Sequence, residues 1–157
     1  MDKAQTRLFA GAFLRWQDEV ILMKRSPNKK ISPSSWAGIG GHIEKDEINS
    51  PISACLREIE EETGILPVQI ESLDLRYFAL IKTSDILDSV YYFSGVLKEK
   101  CDLRETSEGK LYWVKLKDGA NYQMTDFVKR FYLHWIDNLC DNSLHCFLDS
   151  DIQLLKD

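Results

Sequence analysis

The stretch GGHIEKDEINSPISACLREIEEETGI, residues 40–65, decides the reading of this chain, because it combines a helix pattern with a dense group of carboxylates. Ser50 is a good N-cap, and Pro51 suits the first helical position, where a missing N–H costs nothing. Ile52, Cys55, Leu56 and Ile59 recur at steps of three and four and form one apolar stripe. Gly64 is a natural stop. The spacing therefore predicts a helix over residues 51–63. On it Glu58, Glu61 and Glu62 share a face, expected to lie opposite the stripe. Like charges at these spacings destabilise an isolated helix by roughly 0.2–0.5 kcal/mol per pair. A solvated surface explains such a run poorly; a bound cation explains it better. Clustered hard oxygen donors suit Mg²⁺ or Mn²⁺, which keep several waters and bridge to phosphates. Just ahead, Gly38, Gly40 and Gly41 let the backbone approach a ligand closely.

Outward from the helix, residues 6–16 and 20–26 are rich in apolar and aromatic side chains and read as two strands joined by the turn QDE. PNKKISPSS, residues 27–35, is a loop by composition, and the short apolar piece WAGIGG follows it. Residues 68–81, 89–97 and 110–116 read as further strands. A second helix is predicted over 124–140, with Met124, Phe127, Val128, Phe131, Trp135, Ile136 and Leu139 as a core-facing stripe. The tail from residue 144 fits either a strand or a loop. Strands around two helices give an α+β class, an α/β/α sandwich with a mixed sheet between helices. With 157 residues and 44% hydrophobic side chains, the expectation is a single domain over 1–157 with a sizeable core.

The formal charge of −5 argues against a nucleic-acid polymer as partner. It does not argue against a nucleotide, because a bound cation reverses the local sign. Cys55, Cys101, Cys140 and Cys146 form no C-x-x-C pair, so structural zinc is not expected and the thiols read as free, in a reducing compartment. No apolar run is long enough to cross a bilayer, and no apolar targeting segment stands behind Met1. Together these readings predict a cytoplasmic protein with no membrane partner, as a monomer or homodimer.

The opening stretch closely resembles the Nudix (MutT-like) box: Gly, five residues, Glu, a spacer, then R-E-U-x-E-E-x-G-U with U a bulky aliphatic. Gly41, Glu47, Arg57, Glu58, Ile59, Glu61, Glu62, Gly64 and Ile65 fill its fixed positions. One departure stands out: residues 48–56 separate Glu47 from Arg57, two more than the family spacer. The added pair is expected to lengthen the loop before the helix and leave the glutamates in place; the family's Glu47–Arg57 ion pair is the contact it puts to the test. The resemblance implies a Nudix sandwich and a divalent cofactor, Mg²⁺ or Mn²⁺. It implies that Glu58 and Glu62 are metal ligands, that Glu61 is a further ligand or a partner of metal-bound water, and that the carbonyl of Gly40 completes the site. Arg57 would orient the glutamates, and Glu47 would hold Arg57. Glu108, five residues before Trp113, stands where MutT-like relatives carry a distant metal glutamate; an exposed turn residue is the equal alternative. Either a box glutamate or Glu108 would serve as general base.

For the substrate, Arg25 stands where relatives bind phosphate, and Gly41 and His42 are candidate phosphate contacts; Asp126 is a candidate base contact. The resemblance implies hydrolysis of a nucleoside diphosphate-linked substrate. By elimination a nucleoside triphosphate leads, cleaved to the monophosphate and pyrophosphate. Oxidised purines such as 8-oxo-dGTP are candidates, although Ala37 replaces the Asn that contacts the base in such enzymes. The alternatives are a non-turnover nucleotide sensor and a hydrolase of ADP-ribose or another nucleotide derivative.

Overall fold

Alternation of side chains along the longest strands places two apolar surfaces on one sheet. The computed structural model describes residues 5–30, 32–148 and 153–154. Strand β1 (Gln5–Trp16) turns tightly into β2 (Glu19–Arg25). The apolar piece that follows the loop forms two short strands, β3 (Trp36–Ala37) and β4 (Ile39–His42). A 3₁₀ turn (Lys45–Glu47) leads into α1 (Pro51–Thr63). Strands β5 (Ile70–Thr83), β6 (Ile86–Leu97) and β7 (Gly109–Lys115) follow. A short α2 (Leu116–Gly119), α3 (Asp126–Asp137), β8 (His145–Leu148) and β9 (Gln153–Leu154) complete the order.

The helix predicted over 51–63 forms over those residues, and Gly64 ends it in the left-handed conformation at φ 77°. The second helix is shorter than its pattern. Met124 makes a bridge to Trp36 in extended conformation, and Asn138, at φ −136°, ends the helix before Leu139. The tail contains strands β8 and β9; residues 1–4, 31, 149–152 and 155–157, on which the start of the chain and the rest of the tail depend, lie outside the described residues.

Among the described residues the sheet is mixed, ordered β3-β2-β1-β6-β5-β8-β9, with β4 also on β1 and β7 on β2. The β1–β6 and β5–β8 pairings are parallel. Phe13, Val20, Leu22 and Tyr92 face α3, whose Val128, Phe131, Tyr132 and Trp135 close one core. Ala10, Ala12, Leu14, Ile21 and Phe93 face α1, whose Ala54, Cys55 and Ile59 close the other. The chain is thus the α/β/α sandwich that the order of elements implied. In β5, Leu73 and Leu75 pack with the α1 core but Tyr77 and Ala79 with the α3 core. A register shift between Leu75 and Tyr77 reverses the parity of the strand there. Arg76, at this shift, is 1% exposed and donates to the Asn138 carbonyl at 3.1 Å.

Candidate active site on the first helix

Arg57 ties together the residues quoted at the outset. Its Nε and Nη2 donate to the two carboxylate oxygens of Glu47 at 2.7 and 3.0 Å. Nη1 donates to Glu58 Oε1 at 2.8 Å and Glu61 Oε2 at 3.2 Å. Nη2 also donates to the His42 carbonyl at 2.9 Å. One guanidinium therefore fixes β4, the 3₁₀ turn and α1 to each other, with the planar bidentate geometry that Arg provides. The Arg57 hydrogen bonds hold the Glu47 carboxyl below its usual range, helped by the Glu44 N–H. The same contacts raise Arg57. The two added residues fold into a turn at Ile48 and Asn49 that leaves Ile48 exposed. The Glu47–Arg57 pair survives the insertion.

Glu58 lies against β4. A Cβ at Gly41 would stand 2.5 Å from Glu58 Oε1, so glycine makes room for the carboxylate. Burial raises the Glu58 carboxyl, opposed by its bond to Arg57.

Glu62 departs from expectation. It is 7% exposed rather than on a solvent face. The cause is helical arithmetic: at about 100° per residue, position 62 falls within about 20° of position 55, and Cys55 is in the core. Ile52, read as part of the stripe, is 41% exposed, and Ala54 is buried instead. The Gly40 N–H favours the charged form of Glu62, yet Glu62 Oε2 is buried without a hydrogen-bond partner. Its carboxyl is pushed up to about 8, first by burial and then by the charge of Glu58, with a smaller push from Glu108 and relief from Arg25. Glu58, Glu62, Glu108 and Arg25 are therefore electrostatic neighbours.

The remaining candidates engage other partners or stand apart. Glu61 is 57% exposed at its side chain and turned to Arg57. Glu108 pairs with Lys29. His42 is exposed, its ring 4.4 Å from that of Phe9. Asp126 stands exposed in the first turn of α3, in the layer opposite α1. Among the described residues no three His, Cys, Asp or Glu side chains converge as a ready-made metal cage. Arg25 Nε is buried without a partner.

Three supporting residues carried no signal in the sequence. Lys29 lies in a loop read only by composition. Arg104 donates Nη2 to the carbonyls of Glu60 and Glu61 at 2.8 and 2.5 Å, closing the C-terminal end of α1. The buried Tyr92 accepts the Gly38 N–H at 3.1 Å and so fixes the glycine strand from the opposite core. Each contact joins residues remote in sequence, where periodicity is silent.

The profile of the NUDIX domain family matches residues 6–135. No curated protein matches the chain. Among solved structures, the mutator MutT protein of Bacillus halodurans superposes with a TM-score of 0.68 at 22% identity, covering 96% of this chain and 95% of that one. The MutT protein of Methanosarcina mazei Go1 gives a TM-score of 0.72 at 21% identity, over 90% and 99% of the two chains. The NUDIX domain of Shewanella oneidensis NrtR, solved with ADP ribose, gives 0.71 at 19% identity, over 88% and 90%. At these identities the likenesses establish the fold. No helix among the described residues is long and apolar enough to cross a membrane.

Proposed function

The chain belongs to the NUDIX family and is a pyrophosphohydrolase for nucleoside diphosphate derivatives; within that class we propose that its substrate is a nucleoside triphosphate, cleaved to the monophosphate and pyrophosphate. The observation that supports pyrophosphate hydrolysis is the group built on α1: Arg57 locked by Glu47, Glu58 seated against Gly41, and a buried Glu62 oxygen with no partner. The choice of a nucleoside triphosphate rests on the absence from the sequence of the signatures of the other substrate classes.

The residues fit a divalent cation. An unpartnered buried carboxylate oxygen is costly, and Glu58 beside it adds a second hard donor of like charge. Glu58 and Glu62 would hold Mg²⁺ or Mn²⁺, joined by the Gly40 carbonyl and Glu108, with Glu61 as the partner of metal-bound water. Bound there, such an ion neutralises a pyrophosphate and lowers the pKa of a coordinated water. Arg57 keeps Glu58 and Glu61 from repelling each other apart. Glu61, the most exposed carboxylate in the group, is the proposed proton acceptor for the attacking water. Arg25, next to Glu62, supplies positive charge toward the phosphate chain, with Gly41 and His42 at the edge of the glycine strand. Asp126, on the far layer, is the least supported of the substrate contacts. A cytoplasmic setting and a single domain over 1–157 complete the reading.

A panel of nucleoside and deoxynucleoside triphosphates, 8-oxo-dGTP, ADP-ribose, nucleotide sugars and dinucleoside polyphosphates, compared by kcat/KM, tests it. Nucleoside triphosphates are expected to rank first with Mg²⁺ present. EDTA should abolish turnover, and so should Glu61→Gln and Glu62→Gln in folded protein. A clear preference for ADP-ribose refutes the substrate assignment, and tight nucleotide binding without release of phosphate or pyrophosphate refutes turnover.

A further inference from the structure

Lys29 lies in the loop between β2 and β3, and that loop is fastened to the segment bearing Glu108. The Ser26 N–H donates to the Glu108 carbonyl at 3.1 Å, and the Lys29 N–H donates to the Ser26 carbonyl at 3.2 Å. Over this frame the Lys29 ammonium pairs with Glu108 Oε2, the two side chains being 30% and 43% exposed. The charge of Glu108 is felt at Glu62. The ammonium therefore sits at the margin of the carboxylate group, neutralising one of its members. A carboxylate serving a divalent ion attracts an ammonium less, because the ion has already compensated its charge.

Resting on the reading of Glu108 as a metal ligand, we propose that Lys29 is a displaceable counter-ion: it holds Glu108 until a divalent ion takes that carboxylate, and the freed ammonium then binds the phosphate chain. Arg25 lies four residues away at the end of β2, and its positive charge too is felt at Glu62. The proposal makes two effects run in opposite directions. Without Lys29, metal binds more tightly, because no competitor must leave. Phosphate binds more weakly, because one cation is gone. A lysine that merely braced the loop would shift both the same way.

Two titrations of the full chain decide the matter, Mn²⁺ alone into nucleotide-free protein and inorganic pyrophosphate into Mn²⁺-saturated protein, both by calorimetry. A part-exposed ion pair is worth up to about 1 kcal/mol, so Lys29→Met is expected to lower the Mn²⁺ Kd about two- to fivefold. It is expected to raise the pyrophosphate Kd by a similar factor. Lys29→Arg, which keeps the charge, should stay near wild type in both. In a Glu108→Gln background Mn²⁺ binds more weakly and Lys29→Met changes it no further. If Glu108→Gln weakens Mn²⁺ binding but Lys29→Met leaves it unchanged or weaker, the counter-ion role is wrong while the ligand assignment stands. Unchanged pyrophosphate binding in Lys29→Met removes the phosphate role. If Glu108→Gln leaves Mn²⁺ binding unaltered, the ligand assignment itself fails and this inference goes with it.

Discussion

Replacing Glu62 by Gln should make the metal-free protein more stable while destroying its activity. Unfolded, the carboxyl loses its proton near 4.5; folded, it keeps it until about pH 8. Between these values the native state binds more protons than the unfolded chain, so stability falls as pH rises through the window. The slope approaches about 1.4 kcal/mol per pH unit. From pH 5 to pH 8 the loss attributable to Glu62 is about 3–4 kcal/mol, reduced to about 2–3 kcal/mol by relaxation and water entry at a buried charge. Gln has nearly the same volume and does not titrate. At about 2–4 °C per kcal/mol for a chain of this size, the melting gap between variant and wild type should widen by about 5–10 °C over that range. Calorimetric melts in EDTA at pH 5, 6, 7 and 8 measure it directly. Mg²⁺ should close the gap by stabilising only the wild type. A gap that stays flat or shrinks as pH rises would falsify the placement of an ionisable, metal-seeking group in the core face of α1.

Three further perturbations follow from the same contacts. Gly41→Ala forces the Glu58 carboxylate off β4, since the new Cβ would meet it at 2.5 Å. Steady-state assays are expected to show a loss of about 10²-fold in kcat/KM, and near-normal turnover would mean that Glu58 works from elsewhere. Glu47→Gln removes the charge that fixes Arg57; metal affinity or activity is expected to fall about 10–100-fold, and a variant indistinguishable from wild type in Mg²⁺ titrations would show the pair to be idle. Tyr92→Phe leaves the Gly38 N–H without its acceptor, a loss of about 1–3 kcal/mol in urea denaturation; an unchanged midpoint would imply that water takes the place of the hydroxyl.

The helix and most of the carboxylate group were legible because their signals are local. Pro51 and Gly64 bound the helix by backbone chemistry, whereas Ser50 stands at the N-cap without a side-chain hydrogen bond to the helix, its Oγ meeting Ser53 Oγ at 2.7 Å instead. The Nudix-like spacing named Glu47 and Arg57 as an ion pair. The burial of Glu62 was also within reach: its place on the helical wheel beside Cys55 follows from period alone, but its charge invited a solvent assignment. Other features depend on contacts that no local pattern records. Trp36–Ala37 and Ile39–His42 are strands only because β2 and β1 lie beside them. The second helix gives up Met124 to a bridge with Trp36. Tyr132, absent from the predicted stripe, is buried against Phe13 and Trp135, where its hydroxyl donates to the Leu116 carbonyl at 2.6 Å. The pairing of Lys29 with Glu108 depends on two loops meeting, and composition shows only that both are loops.

The reversal of parity at Arg76 binds the fate of the two layers. Because β5 passes from one core to the other within a single strand, no line drawn along the sheet separates α1 from the aromatic layer without cutting that strand. Neither half can melt as an independent unit while the other stays intact. Amide exchange in the interiors of α1 and α3 should therefore report one shared opening event, and damage to the aromatic layer, on the sheet face opposite α1, should surface as a weakened affinity for Mn²⁺.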